Sequence, residues 1–200
     1  MFVEKLTDMY HIDEITGMHY LMVAHWHHEP MNNPYHGFLK LACTEHQFNF
    51  LLWHEEDAAR CQRSDDARIA TAKRSIDLYN QQRNDSIEQM DECIADHLVR
   101  DQIESTGSLN TETPGSAVDR LSILALRIYH LNEQMQRSDV EPEHRVMVRQ
   151  KLNRCKLQHE ELSQSLKELL ADIFSGRKRH RTYRQLKMYN DPTLNPYLYA

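Results

Sequence analysis

The sequence predicts an all-α fold: an antiparallel bundle of about five helices, with an ordered C-terminal segment packed across it. Three observations carry that expectation. Apolar residues recur at three- and four-residue spacing over long stretches. The 200 residues include only five glycines and six prolines, few for the tight turns of a sheet-rich fold. Those residues fall almost entirely between the periodic stretches, where they mark boundaries.

In chain order, a first helix is expected over about 12–28, stopped by Glu29 and Pro30. MNNPYHG, 31–37, is a turn-rich connection to a second helix over about 38–62. SDD at 64–66 supplies N-caps for a third helix over about 66–103. The polar loop STGSLNTET follows. Thr113 and Pro114 read as an N-cap and a proline at the first helical position, opening a helix over about 114–137. Its LSILALRIYHL stretch is apolar almost all round, which places it centrally. Glu141 and Pro142 restart the chain. Val148, Leu152, Cys155, His159, Leu162, Leu166, Leu169 and Ile173 then alternate in steps of four and three, a heptad seam that Gly176 ends. A single domain is expected, with an N-terminal helix and His-rich turn in 1–35, a bundle core in 36–175 and a basic, proline-punctuated segment in 176–200.

Composition narrows the function classes. With 40% apolar and 27% charged residues the chain reads as globular rather than disordered. A net charge of −6 argues against a general nucleic-acid binder, which needs a cationic footprint. The longest apolar run, YLMVA at 20–24, is too short to cross a membrane, and MFVEKLTDMYHIDE lacks a signal-peptide core. Cys43, Cys61, Cys93 and Cys155 show no CxxC pairing, so reduced thiols in a cytoplasmic protein are expected.

The third helix raises the main chemical question. At 100° per residue Ile76, Ile87, Met90 and Ile94 share a face, yet Asn80 and Arg83 fall inside that stripe. Lys73, Asp77, Asn84, Glu88 and Asp91 flank it. One reading is an interhelix network in which Arg83 pairs with an acid such as Asp57 or Asp119. The other is a pocket in which Asn80, Arg83 and Asn84 hold an anionic or hydroxylated ligand.

The second helix aligns His46, Phe50, Trp53, His54, Asp57 and Cys61 on one side, like a site wall. His54 and Asp57, three apart, could share one metal ion. His46 and His54, eight apart, sit about 12 Å from each other along the axis and could not. There is no HExxH, and Glu141 to His144 is the one Glu-x-x-His spacing, so a carboxylate-bridged dimetal centre is not expected. His25, His27, His28 and His36 cluster without cysteine partners at finger spacing. TETPGSAVDRLS, 111–122, is either an anion seat at a helix N-terminus or simply a cap, with Asp119 satisfying Arg120 or a neighbouring helix. Arg177, Lys178, Arg179, Arg181, Arg184 and Lys187 read as a solvated face, or alternatively as a binder of phosphate groups or an acidic membrane surface. No G-x-S-x-G occurs, so acid–base work by Asp57, His54 or Asp77 is the natural catalytic guess.

FLLWHEEDAAR, RSIDLYNQQRNDSIEQMD, ETPGSAVDRLSILALRIYHL and QLKMYNDPTLNPYLY together resemble the bacterial family catalogued as domain of unknown function 4254. Its motif positions fall on Trp53, Glu56, Asp57 and Arg60, then on Lys73, Asp77, Asn80, Gln81, Arg83, Asn84 and Asp85. They continue on Glu112, Thr113, Pro114, Gly115, Asp119 and Arg120, and end on Lys187, Tyr189, Asn190, Asp191 and Pro192. The resemblance implies no defined activity or cofactor. The family's gene neighbourhoods imply a place in surface-glycan and lipopolysaccharide assembly. The leading expectation is therefore a cytoplasmic protein that binds an anionic sugar phosphate or nucleotide sugar, with its transformation as the stronger form of the same reading. Arg83, Asn80 and Asn84 would hold it beside Trp53, Arg60, Lys73, Asp119 and Arg120. Asp57, His54 or Asp77 would act as acid or base, and Glu112, Thr113 and Gly115 with Lys187, Asn190 and Asp191 would close the site. A second expectation is a non-catalytic partner of glycosyltransferases, dimerising through the 148–173 seam. A third is a mononuclear metalloprotein using His54 and Asp57.

Overall fold

Helical periodicity is realised along nearly the whole chain. The computed structural model describes residues 10–186, 188 and 191–199; Lys187, Tyr189 and Asn190 lie outside the described residues. The long helices are α1 (Ile12–Trp26), α2 (Gly37–Arg60), α3 (Asp66–Arg100), α4 (Pro114–Gln136) and α5 (Pro142–Phe174). Two-residue strands β1 (Ser108–Leu109) and β2 (Lys178–Arg179) pair in parallel, and a short helix α6 (Pro196–Tyr199) closes the described chain. The all-α bundle is the architecture the sequence predicts.

Local chemistry fixes the ends. The Asp65 carboxylate accepts from the Arg68 amide at 2.7 Å and caps α3. Thr113 Oγ1 accepts from the Ser116 amide at 3.1 Å and caps α4, with Pro114 in the first turn. Gly176, at φ +74°, takes the left-handed position after α5. The third helix stops at Arg100 rather than near residue 103. There Gln102, at φ 53°, takes the left-handed position, Ile103 N bonds Leu98 O at 2.9 Å and Gln102 N bonds Val99 O at 3.1 Å. This pair of bonds is a Schellman stop built on glutamine instead of glycine.

α2 packs along α3, and α4 along α5. α1 lies against α2, α4 and α5, while α4 touches each of the other four long helices, the central place its apolar stretch predicts. Ile15, Met90, Ile94, Leu121, Leu126, Leu166 and Ile173 are among the largest fully buried side chains. In the heptad seam of α5, Val148, Leu152, His159, Leu166 and Ile173 are buried. α5 packs along α4 within the chain, where these residues are covered. Among the described residues no helix is long and apolar enough to cross a membrane.

The basic segment keeps Arg177, Arg179, Arg181 and Arg184 exposed, the solvated face expected, and also makes ties to the rest of the fold. Lys178 Nζ reaches Asn110 Oδ1 at 2.7 Å, Arg179 Nε reaches Gly107 O at 2.7 Å and Arg184 Nη2 reaches Glu92 at 2.5 Å. His180 Nε2 donates to Asp91 O at 2.8 Å, and Glu88 accepts from the Gln185 amide at 2.6 Å. Residues 178–186 are thereby laid along α3.

Gly115 shows how closely α3 and α4 meet. Its amide donates to Asp91 Oδ1 at 2.8 Å, and a Cβ there would stand 2.7 Å from the Ile87 carbonyl oxygen. Gly17, in the exposed face of α1, would meet nothing within 4 Å. The two alanine substitutions should therefore have opposite signs. Gly115→Ala should lose about 1–3 kcal/mol by prying the helices apart, and Gly17→Ala should gain about 0.5–1 kcal/mol of helix propensity. Urea midpoints of the two variants provide the check, and a neutral Gly115→Ala would disprove the close approach.

Candidate functional site

The misplaced polar residues of α3 meet their partners on α4. Arg83 forks onto Asp119, with Nε to Oδ1 at 2.6 Å and Nη2 to Oδ2 at 2.5 Å. The side chain of Arg83 is 24% exposed and that of Asp119 only 7%. The network reading of the stripe thus holds, with Asp119 rather than Asp57 as partner.

Behind this pair lies a buried polar chain. Asn49 Nδ2 is within bonding distance of Asp119 Oδ1 at 3.0 Å, Ser122 Oγ at 2.9 Å and the Glu45 carboxyl. An amide NH2 has two hydrogens, so it serves two of these at a time. His46 Nε2 faces the His19 carbonyl at 3.1 Å, and that oxygen can only accept. Nε2 therefore carries the proton, and Ser122 Oγ donates to Nδ1 at 2.8 Å. Burial pushes the His46 pKa down to about 3, which keeps this tautomer neutral.

Glu45 is fully buried beside Asp119. Burial and the Asp119 charge raise its pKa well above the ordinary carboxylate value, so it stays protonated. Burial alone would raise Asp119 too, but hydrogen bonds from Arg83, Glu45 and Asn49, with the Arg83 charge, bring it below its ordinary value. The pair holds one proton, on Glu45.

Arg83 opens onto a cleft of about 520 Å³ between α2, α3 and α4. Trp53, Asp57, Arg60 and Asn80, all anticipated from sequence, line it with Arg83, and Glu56 and Arg127 complete the polar wall. Arg60 pairs with Glu56 at 2.8 Å. Other expected site residues lie elsewhere. Lys73 and Asp77 pair with each other at 2.7 Å on the exposed flank of α3, and Asn84 does not line the cleft. Arg120 pairs with Glu112 at 2.7 Å. The N-terminus of α4 is no open anion seat, because Thr113 and Asp91 already accept from the Ser116 and Gly115 amides. Asp191 accepts from the amide and hydroxyl of its own neighbour Thr193.

The next turns of the same helices carry a second cluster. His27 caps the end of α1, His54 follows Trp53 on α2, and His130 lies one turn beyond Arg127 on α4. One ring nitrogen of each lies within 4.8 Å of the others. Two tautomers are set by oxygen acceptors. His27 Nδ1 donates to Val23 O at 2.6 Å and His130 Nδ1 donates to Glu133 Oε2 at 2.7 Å. In the neutral ring these bonds leave Nε2 as the lone pair, and both Nε2 atoms are buried without a hydrogen-bond partner among the described residues. Aromatic contacts lock the rings, His27 stacking on Tyr129 at 4.3 Å and His130 on Trp53 at 4.6 Å. Burial, then the neighbouring His27 and His130, lower the His54 pKa and favour its neutral form. Three imidazoles converge, and two of them are held by the carbonyl and carboxylate partners that orient metal-ligating histidines. Sequence reasoning noted His27 and His54 but not His130, which stands in a stretch read as uniformly apolar. Of the N-terminal histidines only His27 joins the cluster.

The polar chain makes two tests. Asp119→Ala leaves a largely buried guanidinium unpaired and should cost about 3 kcal/mol in urea unfolding. For Glu45 the folded pKa lies above the unfolded value of 4.5, so its stabilising contribution is complete below that value and lost as pH rises through the raised one. As pH rises from 4.5 toward the raised folded value, the wild type should lose stability relative to Glu45→Gln. A difference independent of pH would mean that Glu45 is ionised in the fold.

Among curated proteins and among solved structures, none matches the chain. A family model does match, that of a protein of unknown function, DUF4254, over residues 39–182. His54, His130, Arg83 and Asp119 fall inside the match, whereas His27 precedes it. With most of its length so matched, the chain belongs to the DUF4254 family.

Proposed function

We propose that this protein is a mononuclear metalloprotein whose centre is His27, His54 and His130. The observation that carries the reading is the convergence of three histidine rings, each with a ring nitrogen within 4.8 Å of the others, two of which carry a buried Nε2 without a hydrogen-bond partner. Neutral imidazoles suit zinc and its first-row neighbours. Zinc–nitrogen bonds of about 2 Å require the three rings to draw in slightly. Three protein ligands leave a coordination position for water or a ligand, the arrangement of catalytic rather than structural zinc sites. The ligand set differs from the one expected at the sequence level, since His27 and His130 join His54 in place of Asp57. Asp57 lies one turn from His54 on the wall of the neighbouring cleft, where its carboxylate would be available as a proton acceptor. The bound ion would polarise that water, and the chain supplies its orientation and its surroundings.

Purified protein should take up one equivalent of Zn²⁺, with a melting-curve gain of about 2.7 kcal/mol at 100 times the dissociation constant. Loss of the carboxylate partner in Glu133→Gln should weaken uptake about 10- to 100-fold, and His130→Ala should abolish it. Titration with a competing chelator measures both. Equal zinc affinity in wild type and His130→Ala would rule the centre out.

A further inference from the structure

The cleft beside the histidine centre has a chemistry of its own. Its volume of about 520 Å³ is that of a pocket for a small organic molecule. Three guanidiniums belong to it, and they are not equivalent. Arg60 is paired with Glu56 on its own helix, whereas Arg83 uses Nε and Nη2 on Asp119 and keeps Nη1 for the cleft. Arg127 is exposed and makes no ion pair or hydrogen bond among the described residues, and the same holds for the Asn80 amide. Trp53 supplies an aromatic wall that the cleft shares with the histidine centre, through its stacking on His130.

Charge decides what this wall can hold. Taken alone it is balanced, because Glu56, Asp57 and Asp119 oppose the three arginines. A divalent ion on His27, His54 and His130 tips it to positive. Two guanidinium groups with unused donors, set beside a divalent cation, match a group with several charged oxygens better than a single carboxylate. Arg83 is moreover prepositioned by its fork, so little ordering is lost when it binds.

We propose that the cleft receives the phosphoryl group of a small phosphorylated molecule, held by Arg127, Arg83 Nη1 and Asn80. The proposal rests on the metal reading for its net positive charge. It assigns the phosphoryl group of the sugar phosphate or nucleotide sugar expected from sequence to Arg127, Arg83 and Asn80, with Arg127 in place of Asn84.

The test is calorimetric titration of the full chain, first with Zn²⁺ and then with inorganic phosphate, a hexose 1-phosphate and the neutral hexose. Wild type and Arg127→Met are compared, Arg127 being exposed and outside the metal ligands. The expected result is phosphoryl binding by the zinc-loaded wild type, no binding of the neutral hexose, and about tenfold or greater weakening in Arg127→Met at unchanged zinc stoichiometry. Tighter binding of the ester than of phosphate would mark an organic phosphate as the ligand, and equal binding would mark free phosphate. Zinc uptake with no phosphoryl binding, or with binding indifferent to Arg127→Met, overturns the inference and leaves the metal centre standing. Absence of zinc uptake, with phosphoryl binding that still depends on Arg127, overturns the metal reading and keeps the cleft.

Discussion

The fork of Arg83 on Asp119 is the constraint around which the helices are arranged. An apolar stripe such as Ile76, Ile87, Met90 and Ile94 can slide by a turn against its neighbours at modest loss, because apolar contact is non-directional. A guanidinium seated on a carboxylate cannot. Asp119 ties α3 to α4, Asn49 and Ser122 extend the tie to α2, and His46 carries it to the backbone of α1 at His19. These bonds are directional, so they favour one register of the four helices. Buried ion pairs add little net stability against apolar packing. What this one supplies is the fixed position of Arg83 at the mouth of the cleft.

Much of this was legible in the sequence for physical reasons. Helix positions followed from apolar spacing and from capping residues whose chemistry is local: Thr113 with Pro114, Asp65, and Gly176. The stripe in α3 exposed Arg83 as a residue in need of a partner, and Asp119 was one of two acids proposed. The end of α3 was placed too late because the left-handed residue is Gln102, where glycine would have announced the stop. The anion seat at Gly115 could not be discounted either. Asp91 fills it from another helix, and sequence spacing does not show which carboxylate arrives there.

The histidine centre lay further out of reach, for the same reason. Its ligands come from the end of α1, the middle of α2 and the later half of α4, so no spacing along the chain connects them. Pattern reading finds ligands that share a helix face, which is why His54 was matched with Asp57. The structure instead joins His54 to His130 across the bundle, with Tyr129 and Trp53 holding the rings. An aromatic environment for histidine is no signal by itself. Val23 O and Glu133 on Nδ1 turn it into one, since they leave Nε2 of each ring buried without a partner.

The short pairing of β1 with β2 acquires meaning from chain statistics. It joins residues on either side of the whole α4–α5 hairpin, which in an unstructured chain would be a long loop to close. Loop-closure entropy depends on the length that is still free when the ends meet. Two antiparallel helices joined by a short connection bring the start of α4 and the end of α5 together as they zip, so little free length remains. The strand pair then acts as a latch on an already closed hairpin. It sets the direction in which residues 178–186 leave α5, and hence the line they take along α3.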